Sequence, residues 1–102
     1  MSKTYRVHDA SRGGELLGFF CPGCVLPHQI HISGSGPVWS FDGNNESPTC
    51  APSILVTGHQ GDAKERRCHS FLRQGRLQFL GDCTHALAGQ TVDLPELPEW
   101  LA

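Results

Sequence analysis

Glycine or proline interrupts this chain every few residues, and no stretch between the interruptions shows sustained helical periodicity. Twelve glycines and seven prolines in 102 residues leave room for short extended runs joined by turns. The expected fold is therefore mainly β, with a small α+β arrangement as the alternative. The extended runs are "LLGFF" (16–20), "HQIHIS" (28–33), "PVWSF" (37–41) and "SILVTG" (53–58), and a polar loop follows through residue 66. In the second run, alternation puts His28, Ile30 and Ile32 on one face and Gln29, His31 and Ser33 on the other. "CHSFLRQGRLQFL" (68–80) reads as a hairpin turning at Gln74-Gly75, which pairs Arg73 with Arg76, Leu72 with Leu77 and Ser70 with Phe79. One or two short helical turns are expected, the clearer being "CTHALA" after Asp82. The length fits a single domain over residues 1–102, with residues 1–14 expected to pack loosely.

"CPGC" (21–24) joins two of the extended runs. Two cysteines two residues apart can turn both sulfurs toward one ion, as in a zinc knuckle. A redox dithiol has the same spacing but opens a helix, and here an alternating run with Pro27 follows. Zinc is the expected cofactor, and Gly23 suits the sharp turn. The hairpin register puts Cys68 on its apolar face opposite Gly81, two residues before Cys83. The preferred ligand set is Cys21, Cys24, Cys68 and Cys83, with His85 the substitute for Cys83 if the chain turns helical at once after Asp82. Cys50, in "SPTCAPS", reads as a small buried apolar residue.

His28, His69 and His85 each lie within a few residues of an expected ligand. They are expected around the metal, bonding carbonyls, carboxylates or thiolates. A sharper reading makes them, with Asp82, a polar site in which Asp82 orients a histidine that acts as base or binds an anion. Alternation turns His69 away from the metal face, onto the same hairpin face as Asp82. His8 and His59 are expected to be exposed.

The net charge of −2 argues against bulk attraction to nucleic acid or membranes. Lys64, Arg66, Arg67, Arg73 and Arg76 cluster, so nucleic-acid binding through residues 64–76 is a third-ranked reading. No apolar run could cross a bilayer, and "MSKTYRVHDASRGGE" lacks the apolar core of a signal peptide. A cytoplasmic setting is expected, where paired cysteines more often hold metal than form disulfides.

The ordered motifs "CPGCVLPH", "WSFDGN", "SPTCAPSI", "CHSF" and "QFLGDCTHALAGQTV" resemble a family of small uncharacterised proteins of tailed bacteriophages and prophages, over about residues 17–98. Members are sometimes labelled ammonia monooxygenase, a label that no feature of this chain supports. The resemblance implies a zinc-binding phage protein in the host cytoplasm, and it implies no reaction. Cys50 departs from the family pattern, where an aromatic is usual. In members that carry serine at the position of Cys83, His85 or His69 would complete the zinc site.

With no recognised catalytic triad or nucleotide loop, the leading expectation is a non-enzymatic accessory protein. It would be a zinc-stabilised module binding, and inhibiting, a host or phage protein complex. The alternative is a small metal-dependent hydrolase or nucleic-acid-processing enzyme using His28, His69, Asp82 and His85.

Overall fold

The computed structural model describes residues 2–58 and 66–101. Among them are nine strands and no helix: β1 (Tyr5–Asp9), β2 (Gly14–Cys21), β3 (Leu26–His31), β4 (Ser40–Phe41), β5 (Cys50–Ala51), β6 (Ile54–Gly58), β7 (Arg66–Arg73), β8 (Arg76–Phe79) and β9 (Thr91–Asp93). They form three antiparallel sheets: β1-β2-β3, the short pair β4-β5, and β6-β7-β8-β9. The mainly β expectation holds.

The β7–β8 hairpin adopts the register its sequence dictates, with Ser70 opposite Phe79, Leu72 opposite Leu77 and Arg73 opposite Arg76. Gln74 and Gly75 at its tip have φ of 49° and 74°. Two successive residues in that region make the turn whose twist matches the flanking strands, and glycine enters it without steric cost. In β3, His28 and Ile30 are buried and Gln29 is exposed, as alternation requires. "PVWSF" contributes only the two-residue strand β4, because residues 33–38 are exposed and pair with nothing regular. The helical turn expected after Asp82 is instead a run of turns. Its bonds, from Ala88 N–H to His85 O (3.3 Å) and Gln90 N–H to Leu87 O (3.0 Å), close i→i+3 loops without propagating.

The two larger sheets share one core. Leu17, Phe19, Cys21 and Ile30 come from the first, and Ile54, Cys68, Leu72, Leu77 and Phe79 from the other. Odd-numbered positions of β2 and even-numbered positions of β7 face inward, so Cys21 and Cys68 meet where the sheets touch. Cys50 is buried at 3% exposure, and burial pushes its thiol up to about 11. It packs as a small apolar side chain. Cys50→Ala should therefore shift the free energy of unfolding by no more than about 2 kcal/mol, read by urea denaturation.

Candidate metal cluster and hydrolytic constellation

Two groups of reactive side chains flank β7, one on each face. On the inner face, Cys21, Cys24, His28 and Cys68 bring one ligand atom each to within 4.8 Å of one another. Cys21 ends β2, Cys24 closes the turn behind it, His28 lies on β3, and Cys68 reaches across from β7. The Cys21 and Cys68 sulfurs are 3.8 Å apart. A tetrahedral ion with metal–sulfur bonds of about 2.3 Å spaces its sulfurs by about 3.8 Å. The His28 Nε2 is buried without a hydrogen-bond partner, which a buried polar atom seldom tolerates. A ligand role would supply that partner. These four residues can hold a metal ion, and three sulfurs with one imidazole are compatible with zinc.

The electrostatics favour a thiolate already. The Cys68 thiol beside it, and then the nearby His28 ring, pull Cys21 down to about 4, while the same shared proton and burial push Cys68 upward. Burial and the Cys21 charge raise Cys24 to about 11. A metal ion would reverse such upward shifts by replacing protons.

Gly23 suits this turn by having no side chain to clash, as expected. The left-handed residue is Val25, at φ 56°. At Gly23, a Cβ would lie 2.3 Å from the His85 ring. The glycine thus makes room for His85, which also stands edge-on to Phe79 at 4.6 Å.

Cys83 and His85 form a second group with Cys68, within the same 4.8 Å limit. The Cys83 thiol is engaged with the main chain of His69: it accepts from the His69 N–H and donates to the His69 carbonyl, both at 3.2 Å. His85 Nδ1 accepts from the Leu87 N–H at 3.2 Å, which leaves the ring proton of a neutral imidazole on Nε2.

On the outer face of β7, His69 sits in a chain of polar contacts. Its Nδ1 is 3.3 Å from Asp82 Oδ2, and its Nε2 is 3.1 Å from Ser53 Oγ. Arg67 Nη1 stands 3.9 Å from the same Asp82 oxygen. Ser53 immediately precedes β6, and β6 pairs with β7 so that Leu55 lies opposite His69. The same register brings Ser53 alongside the ring. Trp39 Nε1–H donates to the Ser53 carbonyl at 3.2 Å and holds the residue from behind. A hydroxyl, an imidazole and a carboxylate in this order can activate an oxygen nucleophile: the carboxylate fixes Nδ1–H and Nε2 accepts the hydroxyl proton.

His69 and Asp82, placed on one hairpin face by sequence, are thus together, but Ser53 is the member that sequence reasoning missed. His28 and His85 lie on the metal side. The basic residues have local partners: Arg67 faces Asp82, Arg76 pairs with Asp93 at 3.2 Å, and Arg73 stacks on Phe71 at 4.2 Å. His59 and Lys64 lie outside the described residues. No helix among the described residues is long and apolar enough to cross a membrane.

No curated protein and no solved structure matches the chain. One family does, over residues 1–80. The matched span holds all four residues of the metal cluster together with Ser53 and His69, while Asp82 follows it by two positions. The match takes in most of the chain, which therefore belongs to the family described as bacterial ubiquitination-like system serine protease (BubE).

Proposed function

We propose that this protein is a serine peptidase with Ser53 as nucleophile, His69 as general base and acid, and Asp82 as the group that orients His69. The observation that carries this reading is the unbroken contact chain from Ser53 Oγ through both ring nitrogens of His69 to Asp82. In the reaction, Ser53 Oγ bonds to the scissile carbonyl carbon while its proton passes to His69 Nε2. The C–N bond then breaks and the same proton leaves with the amine. Water, deprotonated by His69, releases the acyl group and restores Ser53. Arg67 stands beside the Asp82 carboxylate, with Nη1 3.9 Å from Oδ2. The family's description as a serine protease supports the assignment, and its place in a ubiquitination-like system favours protein substrates. Of the three readings the sequence allowed, the hydrolase fits this geometry best, with a serine hydroxyl in place of a metal-activated water. The phage setting and the host complex implied by the motif resemblance are narrower than the family match, and a peptidase acting on proteins suits either.

The test is covalent labelling. A fluorophosphonate probe should attach to Ser53, mapped by peptide mass spectrometry, and His69→Gln should abolish the attachment while the protein stays folded. Labelling that is absent, or that falls on another serine, would overturn the assignment.

The metal cluster supports a structural role. We assign zinc to Cys21, Cys24, His28 and Cys68, with His85 and Cys83 outside the ligand set. The Cys83 thiol is committed to the His69 main chain, and His85 accepts the Leu87 N–H at Nδ1, which leaves a proton rather than a lone pair on its buried Nε2. His28→Gln should weaken metal binding beyond the roughly 10–100-fold that loss of an outer partner costs, and Cys83→Ser should stay within that range. Competition with a chromogenic chelator measures both. The reverse order would restore Cys83 as the fourth ligand.

A further inference from the structure

We propose that the free edge of β6 is the substrate-binding edge. The substrate class is an extended peptide segment whose residues on the N-terminal side of the scissile bond add to β6 as an antiparallel strand. This rests on the reading of Ser53 as nucleophile.

The argument begins with where the main-chain groups of β7 point. The His69 carbonyl accepts from the Leu80 N–H, and Arg67 exchanges bonds with Thr84 through its N–H and its carbonyl. Both residues therefore turn their main chain away from β6. The groups that face β6 belong to Arg66, Cys68 and Ser70, whose partners are Gly58, Val56 and Ile54. Leu55 and Thr57 are left with their N–H and C=O turned to the outer edge of the sheet. Ser53 has the same parity. The nucleophile and two outward-facing backbone positions thus stand in line at alternate residues of one edge.

A second edge faces this one. Ile32 N–H bonds the Glu15 carbonyl, so alternate residues of β3 point away from β2 at His31, Gln29 and Pro27. Pro27 has no N–H to offer and fits an edge. Pro27 and Gln29 of β3 and Val56 and Thr57 of β6 line one cavity of about 180 Å³, which Cys24, His28 and Cys68 of the metal cluster also line. The two edges thus border a common cleft. At the nucleophile end it is closed by Trp39: its main-chain N–H takes the outward carbonyl of His31 (2.8 Å), and its indole N–H takes that of Ser53 (3.2 Å). The outward carbonyls of His31 and Ser53 are thus taken, whereas Gln29, Leu55 and Thr57 turn theirs into the cleft.

A strand entering the cleft can pair as far as Ser53 and no further. Entering antiparallel to β6, in the sense of every other pairing in the protein, it arrives with its C-terminal end at the nucleophile. The scissile carbonyl then meets Ser53, and the departing amine lies beyond Trp39 in solvent. Leu55, 54% exposed and directly across from His69, offers apolar surface to a substrate side chain beside the reacting bond. Strand addition of this kind takes its affinity from main-chain bonds and therefore requires an unfolded segment.

The test uses the unaltered protein. The best-cleaved member of a mixed-sequence ten-residue peptide library is resynthesised with one N-methyl group at each position in turn. Two positions on the N-terminal side of the cut, two residues apart, should each lose on the order of 30-fold or more in kcat/KM, and the residue between them less than about 3-fold. Fluorophosphonate labelling of Ser53 is measured beside it. Intact labelling with a flat N-methyl profile, with sensitivity only on the C-terminal side, or with no library member cleaved, would overturn strand addition and leave the serine nucleophile standing. Absence of labelling would instead remove the peptidase reading itself, and this inference with it.

Discussion

Ser53→Ala should lower peptide turnover on the order of a millionfold while the far-ultraviolet circular dichroism and the metal content stay at wild-type values. The size follows from the proposed roles, in which the three side chains act as one device. Without the hydroxyl there is no acyl-enzyme, and without His69 there is nothing to take the hydroxyl proton. His69→Ala should therefore cost about as much as Ser53→Ala, and the double variant should be no worse than either alone. Asp82→Asn should cost about ten-thousandfold, because an amide opposite Nδ1 stabilises the wrong ring tautomer. Burial does not predict these losses: Ser53 is only partly buried and Asp82 is exposed. A Ser53→Ala protein that retained roughly a tenth of the rate would contradict the assignment outright.

Cys68→Ser should yield no soluble folded protein. The core of a domain of this length supplies a net stability of about 5–15 kcal/mol, and a structural zinc site contributes about 10 kcal/mol or more. Cys68 is the only member of the cluster that comes from the four-stranded sheet; the others belong to the three-stranded sheet and its Cys21–Leu26 turn. Losing it unfastens the two sheets from each other. Chelation should do the same to the wild-type chain, and return of zinc should restore both the fold and the labelling of Ser53. Protein that keeps its melting temperature and its labelling after the metal is stripped would show that the cluster is dispensable.

The hairpin was legible in the sequence because Gln74-Gly75 fixes the turn, and a two-residue turn fixes every pairing before it. That register alone placed His69 opposite in sense to Cys68 and toward Asp82. Cys21, Cys24 and Cys68 were legible from spacing and alternation. His28 was legible as an inward residue, but four cysteines seemed to suffice for the metal and nothing local ranks an imidazole above a fourth thiol. The assignment of His28 in place of Cys83 proposed above rests on the main-chain contacts of Cys83, and those are tertiary. Ser53 carried no local sign at all: "APSILV" reads as the start of a strand. One step would have found it. Once "SILVTG" is paired antiparallel with the first strand of the hairpin across the polar loop, the serine comes to the histidine. The helical turn after Asp82 failed because capping signals describe how a helix starts, whereas this segment is tied down by Thr84 bonding Arg67 and by His85 lodged under Gly23.

Strand β7 has a consequence for how this chain can change over generations. Cys68 and His69 are neighbours in sequence and serve opposite faces of the sheet. A one-residue slip of that strand would send the histidine into the sulfur cluster and the cysteine out beside Ser53, so both chemistries would be lost in a single event. A two-residue slip would restore the faces but set Ser70 where the thiolate belongs. Gains and losses of length should thus be confined to places such as the exposed segment 33–38, where they leave the parity of β7 untouched. Lineages of this protein should differ in length there and hold the spacing from Cys68 to Asp82 fixed, because in that interval the count of residues is itself inherited as a functional trait.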